Sequence, residues 1–124
     1  MNRPRVSVLS PAYLCVEYIE EMIYSITEQD FPDFELIIVD DGSLDGTFEL
    51  ASKLAEADNR IRVYGQEHRG YVSAFNSAFG FSTGELIARQ DADDWSHPGR
   101  LSAQISLLQR GRDILSCGMI RVVE

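Results

Sequence analysis

At 124 residues the chain suffices for one compact domain and is short for two. Its 44% hydrophobic share supports a packed core, with an ordinary charged share of 25%. A formal net charge of -9 at pH 7 argues against a duplex nucleic acid partner, because phosphate contacts need a basic surface. It does not exclude phosphate ligands, since a bound cation reverses the local sign. No apolar run approaches the roughly 18 residues of a membrane span, and MNRPRVSVLSPAYL lacks a signal-peptide hydrophobic region. Cys15 and Cys117, far apart and without metal-like spacing, read as free thiols of a reducing compartment. The expected location is the cytoplasm, with a peripheral position at a membrane as the variant of it.

In chain order, RVSVLS (5–10) is a short apolar run ending at Pro11 and predicts a buried strand. From Val16 to about Gln29 the spacing of Val16, Ile19, Ile23 and Ile26 predicts a helix, with Glu17, Glu20, Glu21 and Glu28 off that face. FELIIV (34–39) predicts a strand buried on both faces. DDGSLDGT (40–47) is turn chemistry, and Thr47 is suited to cap a helix over about 48–58 with Ala51, Leu54 and Ala55 inward. RIRVYG (60–65) predicts a third strand. A helix over 71–82 places Val72, Phe75 and Phe79 on one face. GELIARQD (84–91) predicts a fourth strand. Pro98 suits the first turn of a helix carrying Leu101, Ile105 and Leu108, and DILSCGMIRVV (113–123) predicts a last strand.

Strands alternating with helices predict an α/β fold: one domain over residues 1–124, Rossmann-like, with a mostly parallel sheet of about five strands and helices on both faces. Ligands bind such sheets outside the carboxyl ends of the strands. The loops SPAYL, DDGSLDGT and DADDW are therefore expected to converge at one end.

DADD packs Asp91, Asp93 and Asp94 into four positions. Alternation past a strand end points Asp91 and Asp93 to one side and Ala92 to the other. Such a pair suits a Mg²⁺ or Mn²⁺ ion bridging two phosphates; equally, acidic residues populate turns and helix caps. Asp40 and Asp41 end another predicted strand and support the metal–nucleotide reading, against a solvated turn. Tyr13 is placed either to stack on a base or to pack half-buried. His68 and Arg69 lie in a loop where a cation meets phosphate or simply faces solvent. His97 and Trp95 read as a helix-start residue and a packing residue.

VSVLSPAY, FELIIVDDGSLDGT, HRGYVSAFNSAFGFSTGELIARQDADD and HPGRL occur in an order and spacing that resemble the family 2 glycosyltransferases of the GT-A fold, over about Arg5 to Cys117. The resemblance implies a nucleotide-diphosphate-sugar donor, a divalent metal (Mg²⁺ or Mn²⁺) and inverting transfer to an acceptor hydroxyl, with cell-wall or exopolysaccharide synthesis as its setting. It implies that Pro11, Ala12 and Tyr13 form the first nucleotide-contacting loop. Asp41, with Asp40 beside it, matches the carboxylate that recognises the base. Asp93 matches the metal carboxylate and Asp91 the first acid of the Asp-X-Asp, while Ala92 and Arg69 belong to the nucleotide site. A carboxylate at Asp41 accepts the imide proton of uracil or thymine, which favours a UDP or dTDP sugar.

Ala12 and Leu14 stand where the family has polar residues, His68 where asparagine is common, and Phe75 where arginine is common. Family members continue beyond this length into an acceptor region that carries the catalytic base, so no base is assigned. The expectation is a donor half that is inactive alone and self-associates through its C-terminal region. Two alternatives are a non-catalytic nucleotide-sugar-binding module and a receiver-type signalling domain. The receiver needs a lysine at a late strand end, whereas Lys53 falls in a predicted helix. A dinucleotide fold would carry G-x-G-x-x-G after the first strand, and SPAYLCVEYIEE has no glycine.

Overall fold

A computed structural model describes residues 3–110 and the backbone of 114–115 and 119–121. Six strands form one sheet in the order β3-β2-β1-β4-β6-β5. β1 (Val6–Ala12) pairs in parallel with β2 (Phe34–Asp40) on one side and β4 (Leu86–Arg89) on the other, and β2 pairs in parallel with β3 (Ile61–Gly65). The four expected parallel strands are thus present with their carboxyl ends together. The last segment differs from the single strand expected over 113–123. It contains β5 (Ile114–Leu115) and β6 (Met119–Arg121), and β6 runs antiparallel to β4. The side chains there, Cys117 and the expected self-association surface lie outside the described residues.

Strand alternation sorts the apolar residues to two faces. Val8, Leu36 and Ile38 join the larger core, which packs against α1 (Ile19–Thr27), α2 (Thr47–Ala55) and α4 (Arg100–Leu108). Leu9, Ile37, Val39 and Ile87 face the other way and meet α3 (Tyr71–Phe81). All seven residues of β2 are buried, its apolar run over 36–39 together with the carboxylates of Glu35 and Asp40.

Three local expectations change. α3 turns Ala74 and Ala78 to the sheet, and Val72 and Phe79 are exposed at 70% and 43%. Small residues four apart let the helix backbone approach β1 and β2, where an aromatic row would hold it away. β1 continues through Pro11 to Ala12 because β4 pairs only as far as Leu9; beyond that point β1 is an edge on that side, where a missing N–H is tolerated. The capping acceptor at α2 is Asp45, whose Oδ1 accepts from Thr47 N at 3.1 Å and Thr47 Oγ1 at 2.6 Å. Thr47 Oγ1 accepts instead from Cys15 N at 3.0 Å, tying the first loop to α2.

Candidate functional site

The three acidic or polar loops meet at the carboxyl edge of the sheet. Asp41 N donates to Ala12 O at 2.8 Å and Leu14 N to Ser43 Oγ at 2.9 Å, so the loops after β1 and β2 are one unit. Leu14 is the one non-glycine with positive φ (52°) among the described residues, and it lines the cleft formed there. That cleft, about 450 Å³, runs between the first loop (Tyr13, Leu14) and the acidic turn, with Tyr71 and Arg89 in its wall. A smaller recess of about 140 Å³ shares Pro11, Tyr13 and Tyr71 with it and reaches Asp41 and His68.

Asp91 and Asp93 both line the larger cleft, but not as strand-end neighbours. β4 stops at Arg89, and Asp94 N donates to Asp91 O at 3.1 Å, closing a turn. The turn buries Ala92 in the core and leaves Asp93 exposed. Tyr71 OH donates to Asp91 Oδ1 at 3.4 Å. Burial first, and then the Asp91 carboxylate, push the Tyr71 phenol up, so it remains a neutral donor.

Asp40 and Asp41 part company by the same alternation. Asp40 accepts from Ser43 N at 2.9 Å, has its other oxygen buried without a partner among the described residues, and faces a shallow depression beside Glu49 and Glu67. Asp41 faces the recess and is 2% exposed. Its Oδ1 accepts from Gln66 Nε2 at 2.9 Å and Arg69 N at 2.8 Å; its Oδ2 accepts from Gly70 N at 2.9 Å and lies 2.9 Å from His68 Nδ1. Burial pushes this carboxyl up, but the Arg69, Gln66 and Gly70 donors and the nearby His68 outweigh it and hold it below the ordinary aspartate value.

Of the expected residues, Pro11, Ala12, Tyr13, Asp41, Asp91, Ala92 and Asp93 line the joined cleft and recess. Arg69 does not: it gives its backbone N–H to Asp41, and its guanidinium lies 3.7 Å from Glu67. The cation in the cleft wall is Arg89. Its signal in the sequence was its place two residues before Asp91 at a strand end. Tyr71 and Gln66 carried no such signal, since their roles come from the way α3 and the loop before it fold back over the sheet.

An open, mainly parallel sheet, edged by an antiparallel strand beside β4, with paired carboxylates in a cleft at its carboxyl edge, has the architecture of the GT-A fold class. The chain belongs to the glycosyltransferase family 2, whose profile matches residues 7–124. It is 36% identical over 121 residues to EpsE of Bacillus subtilis (strain 168), covering 94% of this chain and 44% of that protein. It is 38% identical over 99 residues to hyaluronan synthase of Pasteurella multocida, covering 79% of this chain and 10% of that one. The mannosyltransferase PcManGT from Pyrobaculum calidifontis, solved with GDP-Man and Mn²⁺, superposes with a TM-score of 0.79 at 34% identity, over 86% of this chain and 33% of that one. TarS 1-349 of S. aureus, solved with UDP, gives 0.78 at 26% identity, over 90% and 38%. The chain therefore spans less than half the length of these relatives. Among the described residues, no helix is long and apolar enough to cross a membrane.

Proposed function

We propose that this chain binds a nucleotide-diphosphate sugar, with UDP or dTDP sugars favoured, as the donor half of a metal-dependent inverting glycosyltransferase. The observation that supports this best is the convergence of Tyr13, Asp41, Asp91 and Asp93 on one continuous depression at the strand ends. The base takes the recess, with Tyr13 as its stacking surface and Asp41 at its end, and the diphosphate follows the larger cleft past Arg89 toward the acidic turn. This path orients the anomeric carbon beside Asp91 and Asp93 and leaves its far side open to an acceptor hydroxyl. The acceptor and the base that deprotonates it are assigned to no residue here.

The donor set fits a hard divalent cation. Asp91 and Asp93 offer carboxylate oxygens to one cleft, and no third histidine, cysteine or acidic residue completes a metal cluster among the described residues. Diphosphate oxygens and water are the natural remaining ligands. A bound Mg²⁺ or Mn²⁺ supplies Lewis acidity to the leaving diphosphate. The chain's own part is to hold that ion with Asp93 and Asp91, to set Asp91 through Tyr71, and to lend the positive charge of Arg89. Calorimetric titration with UDP, with and without Mn²⁺, tests the assignment. Mn²⁺ should tighten UDP binding at least tenfold, and Asp93→Ala should abolish most of that gain, because each lost charged ligand is worth roughly a power of ten. Equal affinities for both proteins in both conditions would refute the metal role.

A further inference from the structure

We propose that His68 gates the base site: it is the one exchangeable partner of Asp41, and a nucleobase enters by displacing its ring from both Asp41 and Tyr13. The inference rests on the nucleotide-sugar reading above. A carboxylate offers about four acceptor positions, and Asp41 has four donors around it. Arg69 N and Gly70 N are backbone groups that cannot leave without remodelling the loop. Gln66 is held on its other side, its Oε1 accepting from Ser77 Oγ at 2.8 Å. His68 is different. Its side chain is 57% exposed, and Nδ1 lies 2.9 Å from Asp41 Oδ2 and 3.1 Å from Asp41 O, both acceptors, so Nδ1 carries the proton. Its ring stacks on Tyr13 with centroids 4.2 Å apart and planes 24° apart.

The ring thus occupies the Tyr13 face and the Asp41 lone pair that a base would use. With it in place the recess holds about 140 Å³, below the roughly 300 Å³ at which small-molecule pockets begin. The backbone of residue 68 is fixed: a Cβ on Gly42 would meet His68 N at 2.9 Å, so the two segments are in close contact. Opening is therefore a side-chain rotation. It vacates one acceptor position on Oδ2, because Gly70 N keeps the other, and uncovers Asp41 O beside it. The freed Oδ2 position accepts the imide N–H of uracil or thymine.

Two measurements on the 124-residue chain, with Mg²⁺ present, test this. In histidine-labelled protein, the His68 ring protons should start upfield under the Tyr13 ring current and move to solvent-like positions as UDP saturates. In calorimetry, His68→Ala should bind UDP roughly three- to tenfold more tightly than wild type, because the free state loses a charge-assisted bond that the complex never had. Unmoved His68 signals at saturating UDP, or weaker UDP binding by His68→Ala, would overturn the exchange. Failure of both proteins to bind UDP at all is a different result, and it removes the nucleotide-sugar reading itself.

Discussion

Asp41→Asn replaces a buried carboxylate by an isosteric amide, and the geometry dictates which bonds fail. The amide has one acceptor oxygen and one NH₂, whereas both Asp41 oxygens face donors. Turning the NH₂ toward Gln66 and Arg69 N opposes two held donors. Turning it toward Gly70 N and His68 opposes one backbone N–H, and the His68 ring can rotate away. The second arrangement costs less: one orphaned backbone donor, plus the loss of charge assistance in the remaining bonds, about 2–4 kcal/mol in all. Because the Asp41 carboxyl is held below its ordinary 3.8, its contribution is fully present above that value and is lost as pH falls through the lower folded one. Urea unfolding of wild type and Asp41→Asn should therefore differ by that amount at neutral pH, at unchanged m-value, and converge in acid. Equal midpoints at neutral pH, or a gap that persists when both proteins are well below the ordinary aspartate value, would refute the claim that Asp41 anchors the 66–70 loop as an anion.

Gly84→Ala should cost about 1–3 kcal/mol in the same assay, since a Cβ there meets Ser7 Oγ at 2.7 Å and Ser7 N at 2.8 Å, and backbone cannot yield cheaply. Cys15 is buried, which pushes its thiol up to about 11 despite the Thr47 hydrogen bond. Brief alkylation at mildly alkaline pH followed by peptide mapping should find it modified roughly a hundredfold more slowly than a free cysteine, until denaturant is added.

The sheet was legible because its signal is local: apolar runs bounded by turn residues, in strict alternation with helical spacing. The faces of α3 were not. Spacing puts Val72, Phe75 and Phe79 on one face, yet only Phe75 packs on the core; the distance to β1 and β2 is set by Ala74 and Ala78, and only the packed layers reveal that. The acidic turn shows the same limit. Asp91 and Asp93 were singled out as a pair, yet alternation past Arg89 presumed a strand that β4 does not continue, and they reach the cleft by turn geometry instead. Arg69 stands outside the cleft lining for a related reason: a loop residue's backbone and side chain face different ways, and sequence spacing does not say which of them turns to the cleft.

Glu35 sharpens the point, because it repeats the chemistry of Asp41 at the other end of β2. Its Oε2 accepts from Ser7 Oγ at 2.5 Å and Thr83 N at 2.7 Å, and its Oε1 accepts from Arg62 Nη2 at 2.6 Å. Burial pushes this carboxyl up, and the Ser7, Thr83 and Arg62 donors together hold it below the ordinary glutamate value. Both carboxylates are buried, fully bonded and ionised, so neither burial nor a lowered pKa separates a ligand site from a strut. The donors do. Those of Glu35 include the hydroxyl of a fully buried serine, a backbone N–H and an arginine that also donates to Phe81 O at 2.8 Å. None of them can leave without breaking a second contact that holds the sheet. Asp41 has one donor on a half-free side chain beside an exposed aromatic face, at the strand ends where the loops converge. On the reading proposed above, a carboxylate serves recognition when one of its partners can be exchanged for a ligand without breaking a second contact, and Asp41, unlike Glu35, has such a partner in His68.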